Sequence, residues 1–169
     1  MNTVELTKIV FTGSIAAGKS TAINTISAIG NTTKNTSEAI SSTMDYGQLY
    51  LPNSEKLDLY GTLGDRRFSF MSATLCQGAL GIIILINNTH KNPFDELDYY
   101  LNLNANFLTK NPAIIGVTHY DEVNTPSIEN YQSYLQQCGN SSPVIHVDVR
   151  KANEVAVLIN ALLLAREYA

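Results

Sequence analysis

The stretch Gly13-Ser14-Ile15-Ala16-Ala17-Gly18-Lys19-Ser20 fits the phosphate-binding loop pattern G-x-x-x-x-G-K-[ST]. An apolar, β-branched run at 8–12 precedes it, and residues 21–26, which keep helical spacing, follow it. The alternative interpretation is a glycine-containing β–α turn with a surface lysine. Because strand, loop and helix come in the order that the motif requires, the sequence favours a phosphate site around which the fold is organised.

The residue types of this loop suit phosphate chemistry. Gly13 and Gly18 allow the backbone to turn tightly and to direct its N–H groups at phosphate oxygens, and the helix that begins near Lys19 directs its positive end at the same anion. We expect Lys19 to reach the β- and γ-phosphates and the Ser20 hydroxyl to bind Mg²⁺. The predicted nucleotide-binding residues of this segment extend from Gly13 through Thr21.

Composition limits the class of protein. The 169 residues are 44% hydrophobic and 15% charged, which predicts one globular domain spanning 1–169. A net charge of −4, with no run among the 11 Lys and Arg residues, argues against a nucleic-acid surface. Cys76 and Cys138 are isolated, and we find no secretory segment, lipidation cysteine or apolar run long enough for a bilayer. We therefore expect a cytoplasmic protein with reduced thiols and no membrane anchor.

Strand-like and helix-like segments alternate along the chain. Strands are predicted at 8–12, 44–51, 56–60, 81–86, 113–117 and 144–147. Helices are predicted at 21–26, at 68–77, from Asn92 as cap through Leu108, from Thr125-Pro126 as cap to about 137, and around Val155 to Leu163; 30–40 reads as a mobile loop. This order predicts an α/β fold with a doubly wound, six-stranded, mostly parallel sheet, helices on both faces, and ligands at the carboxyl ends of the strands.

The loops that follow these strands resemble those of small Ras-like P-loop GTPases, specifically the bacterial group related to the gliding-motility protein MglA. The similarity covers nearly the whole chain and rests on GSIAAGKST at 13–21, Met44-Asp45-Tyr46-Gly47, LYGTLGDRRFSFM at 59–71, GALGIIILI at 78–86, Thr118-His119-Tyr120-Asp121 and Val147-Asp148-Val149-Arg150. The resemblance implies the P-loop GTPase fold, binding of GTP and GDP with Mg²⁺, and a switch between two nucleotide states.

Thr118-His119-Tyr120-Asp121 stands where Ras-like proteins carry Asn-Lys-x-Asp. The Asp121 carboxylate can accept from guanine N1–H and the 2-amino group, and adenine offers neither donor there. By the resemblance, His119 packs along the base, the Val149 N–H approaches guanine O6, and Arg150 packs nearby. The alternative is that Thr118 to Asp121 only ends a strand and begins a loop.

Two alignments with the family pattern Asp-x-x-Gly are available. Gly61-Thr62-Leu63-Gly64 makes Gly64 the N–H donor that senses the γ-phosphate, but Gly61 then cannot support Mg²⁺ as the family aspartate does. Asp58-Leu59-Tyr60-Gly61 keeps an aspartate, although Asp58 would lie inside a strand and the downstream match would be lost. We prefer the first alignment because this bacterial group itself tends to carry glycine at that position.

Departures from the family after Gly64 concern hydrolysis. Asp65 stands where a glutamine usually orients the attacking water, and it is one methylene shorter and charged beside the γ-phosphate. Ile15 would crowd the water or an incoming arginine. We therefore expect slow hydrolysis in which Lys19, Gly64 and Asp65 take part. Arg66 and Arg67 are candidates for an arginine supplied by the chain itself, or are surface or partner-contact residues.

The family threonine that binds Mg²⁺ lies four positions before Asp45, which is Ser41 here, with Thr43 as the alternative. A serine hydroxyl can supply the same oxygen ligand.

Three functions stay open at this stage. The first is a GTP-hydrolysing switch, the second a nucleotide-bound pseudo-GTPase scaffold, and the third a P-loop nucleotide kinase, which would need more arginines around a second substrate than the four present. The resemblance also implies protein regulators and effectors, with a roadblock-type partner among them. Tyr99, Tyr100 and Tyr131 either mark a contact surface or are half-buried helix residues.

Overall fold

The computed structural model describes residues 7–27 and 44–168. The predicted loop at 30–40 and the two candidate Mg²⁺ ligands Ser41 and Thr43 therefore lie outside the described residues. The strands are β1 Thr7–Gly13, β2 Asp45–Tyr50, β3 Lys56–Gly61, β4 Ile82–Asn87, β5 Ala113–Thr118 and β6 Val144–His146. The helices are α1 Lys19–Ile26, a 3₁₀ helix Arg66–Met71, α2 Ser72–Cys76, α3 Pro93–Leu103, α4 Ala105–Leu108, α5 Ile128–Gln137 and α6 Ala152–Glu167.

The six strands form one sheet in the order β2-β3-β1-β4-β5-β6. β2 is antiparallel to β3, and every other neighbouring pair is parallel. The apolar run of β4 is buried because helices lie on both sides of it. The expected α/β class and six-stranded, mostly parallel sheet are confirmed.

Alternate residues of the sheet enter two separate cores. Ile9 and Phe11 of β1 pack in one core with side chains of α1 and α6, whereas Val10 points to the other face and packs with side chains of α2, α3 and α5. This arrangement is compatible with a doubly wound fold. No helix in the described ranges is long and apolar enough to cross a membrane.

Three helices differ from the sequence-based predictions. The one predicted at 68–77 is instead the 3₁₀ helix Arg66–Met71 followed by α2 Ser72–Cys76. The helix predicted to continue through Leu108 ends at Leu103, because the buried Asn104 side chain donates to the Tyr100 carbonyl (2.8 Å) and accepts from the Ser72 hydroxyl (2.9 Å). α5 is capped by Ser127 rather than by Thr125. The Ser127 hydroxyl accepts from the Asn130 N–H (3.1 Å), and the Asn130 side chain accepts from the Ser127 N–H (2.9 Å), which satisfies two backbone donors.

The cap predicted at Asn92 makes no side-chain hydrogen bond to the helix, although Pro93 is at the first helical position as expected. Among the three tyrosines considered for a contact surface, Tyr100 and Tyr131 are buried in the core, and only Tyr99 is partly exposed. The prediction that Tyr100 and Tyr131 mark a contact surface is therefore wrong.

Candidate nucleotide-binding site

The predicted phosphate loop follows the carboxyl end of β1 and leads into α1. Gly13 has a φ of +148°, and a Cβ atom there would lie 2.4 Å from the Leu85 carbonyl oxygen, so only glycine fits. The Asn87 side chain, at the end of β4, donates to the Ala16 carbonyl at 3.1 Å. The loop is thus held between β1 and β4 at the start of α1.

Lys19 is buried inside the loop. Its ammonium donates to the carbonyls of Gly13 (2.6 Å) and Ser14 (2.7 Å). Burial lowers the pKa of Lys19 to about 8, and the nearby Asp45 carboxylate opposes part of that shift. A phosphate bound in the loop would therefore meet a cation that is already positioned and only partly solvated.

The Ser20 hydroxyl, the first side chain beyond Lys19, donates to the Asp45 carboxylate at 2.5 Å. Asp45 opens β2 and lies opposite Gly61 in the antiparallel register. A Cβ atom at Gly61 would lie 3.1 Å from Asp45 Cβ and 3.4 Å from Asp45 Oδ2. The carboxylate that Gly61 cannot supply from β3 is therefore present beside it, on β2.

Ser20 and Asp45 together fit Mg²⁺, because both offer oxygen ligands and Mg²⁺ is commonly held by one or two protein ligands with phosphate and water completing its shell. In the described part of the chain, no three or more His, Cys, Asp or Glu side chains are grouped to hold a metal ion. A cation here would accordingly depend on the bound phosphates for affinity.

Gly64 lies directly against the phosphate loop. A Cβ atom at this position would be 2.5 Å from the Ile15 nitrogen and 2.8 Å from the Ser14 carbonyl carbon. Asp58, the aspartate of the alternative alignment, is instead buried within β3, where it accepts from the Tyr46 hydroxyl (2.9 Å) and the Gln48 amide (3.2 Å). The placement of these two residues favours the alignment that contains Gly64.

Asp65 begins the 3₁₀ helix and accepts from the Arg67 backbone N–H at 2.9 Å. The Arg67 guanidinium also donates to Asp65 Oδ2, from Nε at 3.0 Å and from a terminal nitrogen at 2.7 Å, and its Nε lies 3.2 Å from Oδ1. These hydrogen bonds lower the pKa of Asp65. Asp65, which the resemblance predicts to replace a water-orienting glutamine, is therefore engaged by Arg67 of its own chain.

Arg66 points in another direction. It donates to Glu96 Oε1 of α3 at 3.1 Å, and its guanidinium carbon lies 3.8 Å from the centre of the Tyr99 ring. His90 Nε2 is 3.3 Å from the same Glu96 oxygen. Because His90 Nδ1 accepts from the Asn92 N–H at 3.1 Å, the neutral imidazole carries its proton on Nε2, facing Glu96. The contacts of Arg66 thus join the 3₁₀ helix to α3.

A cleft of about 230 Å³ continues the phosphate loop on the side of β5 and β6. The Thr118 hydroxyl donates to the Ala17 carbonyl at 2.8 Å, which joins the end of β5 to the loop. His119 has a φ of 58° and its Nδ1 lies 3.1 Å from Glu122 Oε1. The cleft is lined by Ala16, Gly18, Thr21, Thr118, His119, Asp121, Glu122, Val147, Asp148, Val149 and Arg150.

Arg150 organises the acidic end of this cleft. Its guanidinium donates to both oxygens of Asp148 at 2.8 Å and lies 3.6 Å from Asp121 Oδ2. The hydrogen bonds from Arg150 hold the pKa of Asp148 at about 2. Two carboxylates can therefore lie close together at this position, with one guanidinium between them.

The structure brings the predicted residues of 13–21 and Gly64 together at one end, and Thr118, His119, Asp121, Val149 and Arg150 around the adjoining cleft. Sequence reasoning missed the roles of Asp45 and Asn87. The carboxylate of Asp45 had a weak signal in the quoted Met-Asp-Tyr-Gly run, but only the β2–β3 register shows where it lies. Comparison of the chain with protein-family models and with curated proteins found no match.

Proposed function

We propose that this protein is a small GTP-binding protein that alternates between GTP and GDP states and hydrolyses GTP slowly. One observation carries the proposal: the loop 13–20 contacts the Asp45 carboxylate and Gly64 on one side and borders the Asp121–Arg150 cleft on the other. A nucleotide whose phosphates lie in the loop would then extend its base into the cleft.

Metal and phosphate binding are assigned to different atoms in this proposal. The backbone N–H groups of the loop and Lys19 would bind the phosphate oxygens, and Ser20 with Asp45 would hold Mg²⁺, directly or through water. When bound, Mg²⁺ would neutralise part of the negative charge of the phosphates. The distance of 2.5 Å between the Ser20 and Asp45 oxygens supports this assignment, because it brings two hard ligands together beside Lys19.

Guanine selectivity is assigned to Asp121. Its carboxylate would accept from N1–H and from the 2-amino group, and the Arg150 guanidinium lies 3.6 Å from its Oδ2. Adenine lacks donors at both positions, so it would leave the carboxylate without partners in the cleft.

Switching is assigned to Gly64. Its N–H would donate to the γ-phosphate, which the close approach of Gly64 to Ile15 supports. In hydrolysis a water oxygen forms a bond to the γ-phosphorus, the bond from phosphorus to the β–γ bridging oxygen breaks, and GDP and phosphate leave. The loop around Gly64 then loses its γ-phosphate contact.

A nucleotide-bound scaffold with little hydrolysis is the second candidate function. The observation that favours it is the commitment of Asp65 to Arg67, because a carboxylate engaged by two donor groups of its own chain cannot orient water freely. Single-turnover hydrolysis of bound GTP separates the two candidates.

The first experiment titrates the protein with fluorescent GTP, GDP, ATP and xanthosine triphosphate in Mg²⁺. We expect guanine nucleotides to bind and ATP to bind at least about 100-fold more weakly, since two charge-assisted hydrogen bonds are lost. Asp121→Asn should weaken the binding of GTP and strengthen the binding of xanthosine triphosphate. The amide offers an acceptor to N1–H of xanthine and a donor to O2. Asp95→Asn, an exposed aspartate of α3, is the matched control. Equal binding of ATP and GTP would contradict the proposal.

We extend the proposal to a cytoplasmic protein that works with protein regulators and effectors, including a roadblock-type partner. Ile15 and Phe70, which are strongly exposed apolar side chains on the phosphate loop and the 3₁₀ helix, support a protein contact there. The corresponding test is whether a purified partner changes single-turnover hydrolysis, and whether Phe70→Ser removes that change.

A further inference from the structure

We infer that the Asp65–Arg67 ion pair sets the preference of this protein between GTP and GDP, because Arg67 cancels the charge that Asp65 would otherwise present to the γ-phosphate. The inference rests on the proposed function and concerns the nucleotide state that the empty protein selects. It differs from a role for Arg67 in hydrolysis, since it acts on binding alone.

The position of Asp65 is fixed from its amino-terminal side. The Thr62 N–H donates to the Phe11 carbonyl at 2.9 Å, and the Thr62 hydroxyl donates to the Thr12 hydroxyl at 3.0 Å. Gly64 then lies against Ile15 and Ser14 of the phosphate loop. Asp65 is the next residue along the chain, so its charge is introduced at the phosphate side of the site.

The pair itself is bidentate and local. Both carboxylate oxygens of Asp65 accept from the Arg67 guanidinium, and one of them also accepts from the Arg67 N–H. The Arg67 side chain is 77% exposed and that of Asp65 only 23% exposed. The largely exposed guanidinium therefore covers part of the carboxylate.

The neighbouring Arg66 gives the matched comparison. It is also an arginine of the 3₁₀ helix, but its guanidinium lies on Tyr99 and Glu96 of α3 and not on Asp65. Removing Arg66 therefore removes one positive charge from the same helix without exposing the Asp65 carboxylate.

GTP and GDP differ at this point in the site by one phosphoryl group, which carries additional negative charge. Lys19 and Mg²⁺ would neutralise the phosphates, and the Asp65 carboxylate opposes them when it stands alone. Like charges at close range disfavour each other, and the effect is stronger where solvent is partly excluded. Without the Arg67 guanidinium, the Asp65 carboxylate should therefore weaken the binding of GTP more than the binding of GDP.

The experiment measures the ratio of the GTP and GDP dissociation constants in Mg²⁺ for the wild-type protein and for Arg67→Ala, Asp65→Asn and the double variant. We expect Arg67→Ala to shift the ratio against GTP by about tenfold and Asp65→Asn to shift it slightly toward GTP. The double variant should return close to the wild-type ratio, because neither charge remains. Arg67→Lys should keep the wild-type preference.

Two controls test the physical cause. Arg66→Ala should change the affinities for GTP and GDP by the same factor. The shift in Arg67→Ala should shrink in about 0.5 M KCl, because the pair is partly exposed and salt screens it. Circular dichroism and urea unfolding of each variant check that the 3₁₀ helix is kept.

An unchanged ratio in Arg67→Ala, or a double variant that keeps the shift of Arg67→Ala, would overturn this inference alone. Failure of the wild-type protein to bind guanine nucleotides would overturn the proposed function, and this inference with it.

Discussion

The Ser20 hydroxyl donates a hydrogen bond of 2.5 Å to the Asp45 carboxylate, across a sequence separation of 25 residues. The bond joins the first turn of α1 to the first residue of β2, and it lies beside Gly61, where β3 has no side chain to offer. The strand at the edge of the sheet therefore places a carboxylate beside the start of α1.

Asp45→Asn should weaken the Mg²⁺-dependent part of GTP binding. Replacing a carboxylate that holds or orients a metal typically costs about 10–100-fold in metal affinity, and we expect an effect in that range. Affinity is measured with Mg²⁺ and with EDTA, and only the first value should fall. Asp58→Asn, on the buried side of β3, is the control and should leave the ratio of the two values unchanged. A parallel loss in both conditions would contradict a role in metal binding.

Gly64→Ala should impair GTP binding more than folding. The added Cβ would lie 2.5 Å from the Ile15 nitrogen, so the loop must move away from the phosphate side. Gly78→Ala is the control: no atom lies within 4 Å of its added Cβ, and its φ of +79° should cost about 1 kcal/mol of stability. Affinities for GTP and GDP and urea unfolding are measured for both variants. Unchanged GTP affinity in Gly64→Ala would show that the close approach is irrelevant to the nucleotide.

The titration of Lys19 should make nucleotide binding depend on pH. Its pKa in the free protein is about 8, below the ordinary value of 10.5, and bound phosphate should raise it. Affinity for GTP should therefore be constant just below pH 8 and fall above it, by at most about tenfold per pH unit, with proton uptake on binding. Calorimetry at pH 7.5–9 in two buffers of different ionisation enthalpy counts the protons. Lys19→Met should abolish the uptake, whereas Lys151→Met should retain it.

The same pKa has the opposite effect on folding. Between about pH 8 and 10.5 the unfolded chain binds more protons at Lys19 than the folded protein does, so this group makes the folded state more stable as pH rises. Affinity and stability should thus change in opposite directions over this window, and a common direction would argue against Lys19 as the cause.

Arg66→Ala should destabilise the fold through Glu96. The Glu96 side chain is 10% exposed, and its Oε2 has no hydrogen-bond partner among the described residues, so loss of Arg66 leaves a buried carboxylate with His90 alone on Oε1. Because Arg66 itself is 53% exposed, we expect about 1–2 kcal/mol, less than a fully buried pair would give.

Urea unfolding of Arg66→Ala, Glu96→Gln and the double variant measures the coupling. The loss caused by Arg66→Ala should shrink in the Glu96→Gln background, since an uncharged amide is less costly to bury. Equal losses of stability in both backgrounds would mean that Arg66 stabilises the fold through its contact with Tyr99 and not through the ion pair.

The elements near the centre of the sheet were predictable because their signals are local. The apolar run of β4 and the strand–loop–helix order around Gly13 needed only neighbouring residues. Boundaries that depend on side-chain contacts were not predictable. Asn104 ends α3 because it bonds Ser72, 32 residues away, and spacing along the helix carries no sign of that contact.

The sequence by itself determined the strand–loop–helix order around Gly13, the α/β class and the order of the elements, because glycine positions, apolar runs and turn residues act within a few residues of each other. Tertiary structure decided that the Asp45 carboxylate lies beside Ser20. It also decided that Arg66 contacts Glu96 of α3, whereas Arg67 contacts Asp65. The first of these depends on the antiparallel register that sets Asp45 opposite Gly61. The register depends on how both strands pack against the rest of the protein, so it cannot be predicted from the sequence of either strand alone.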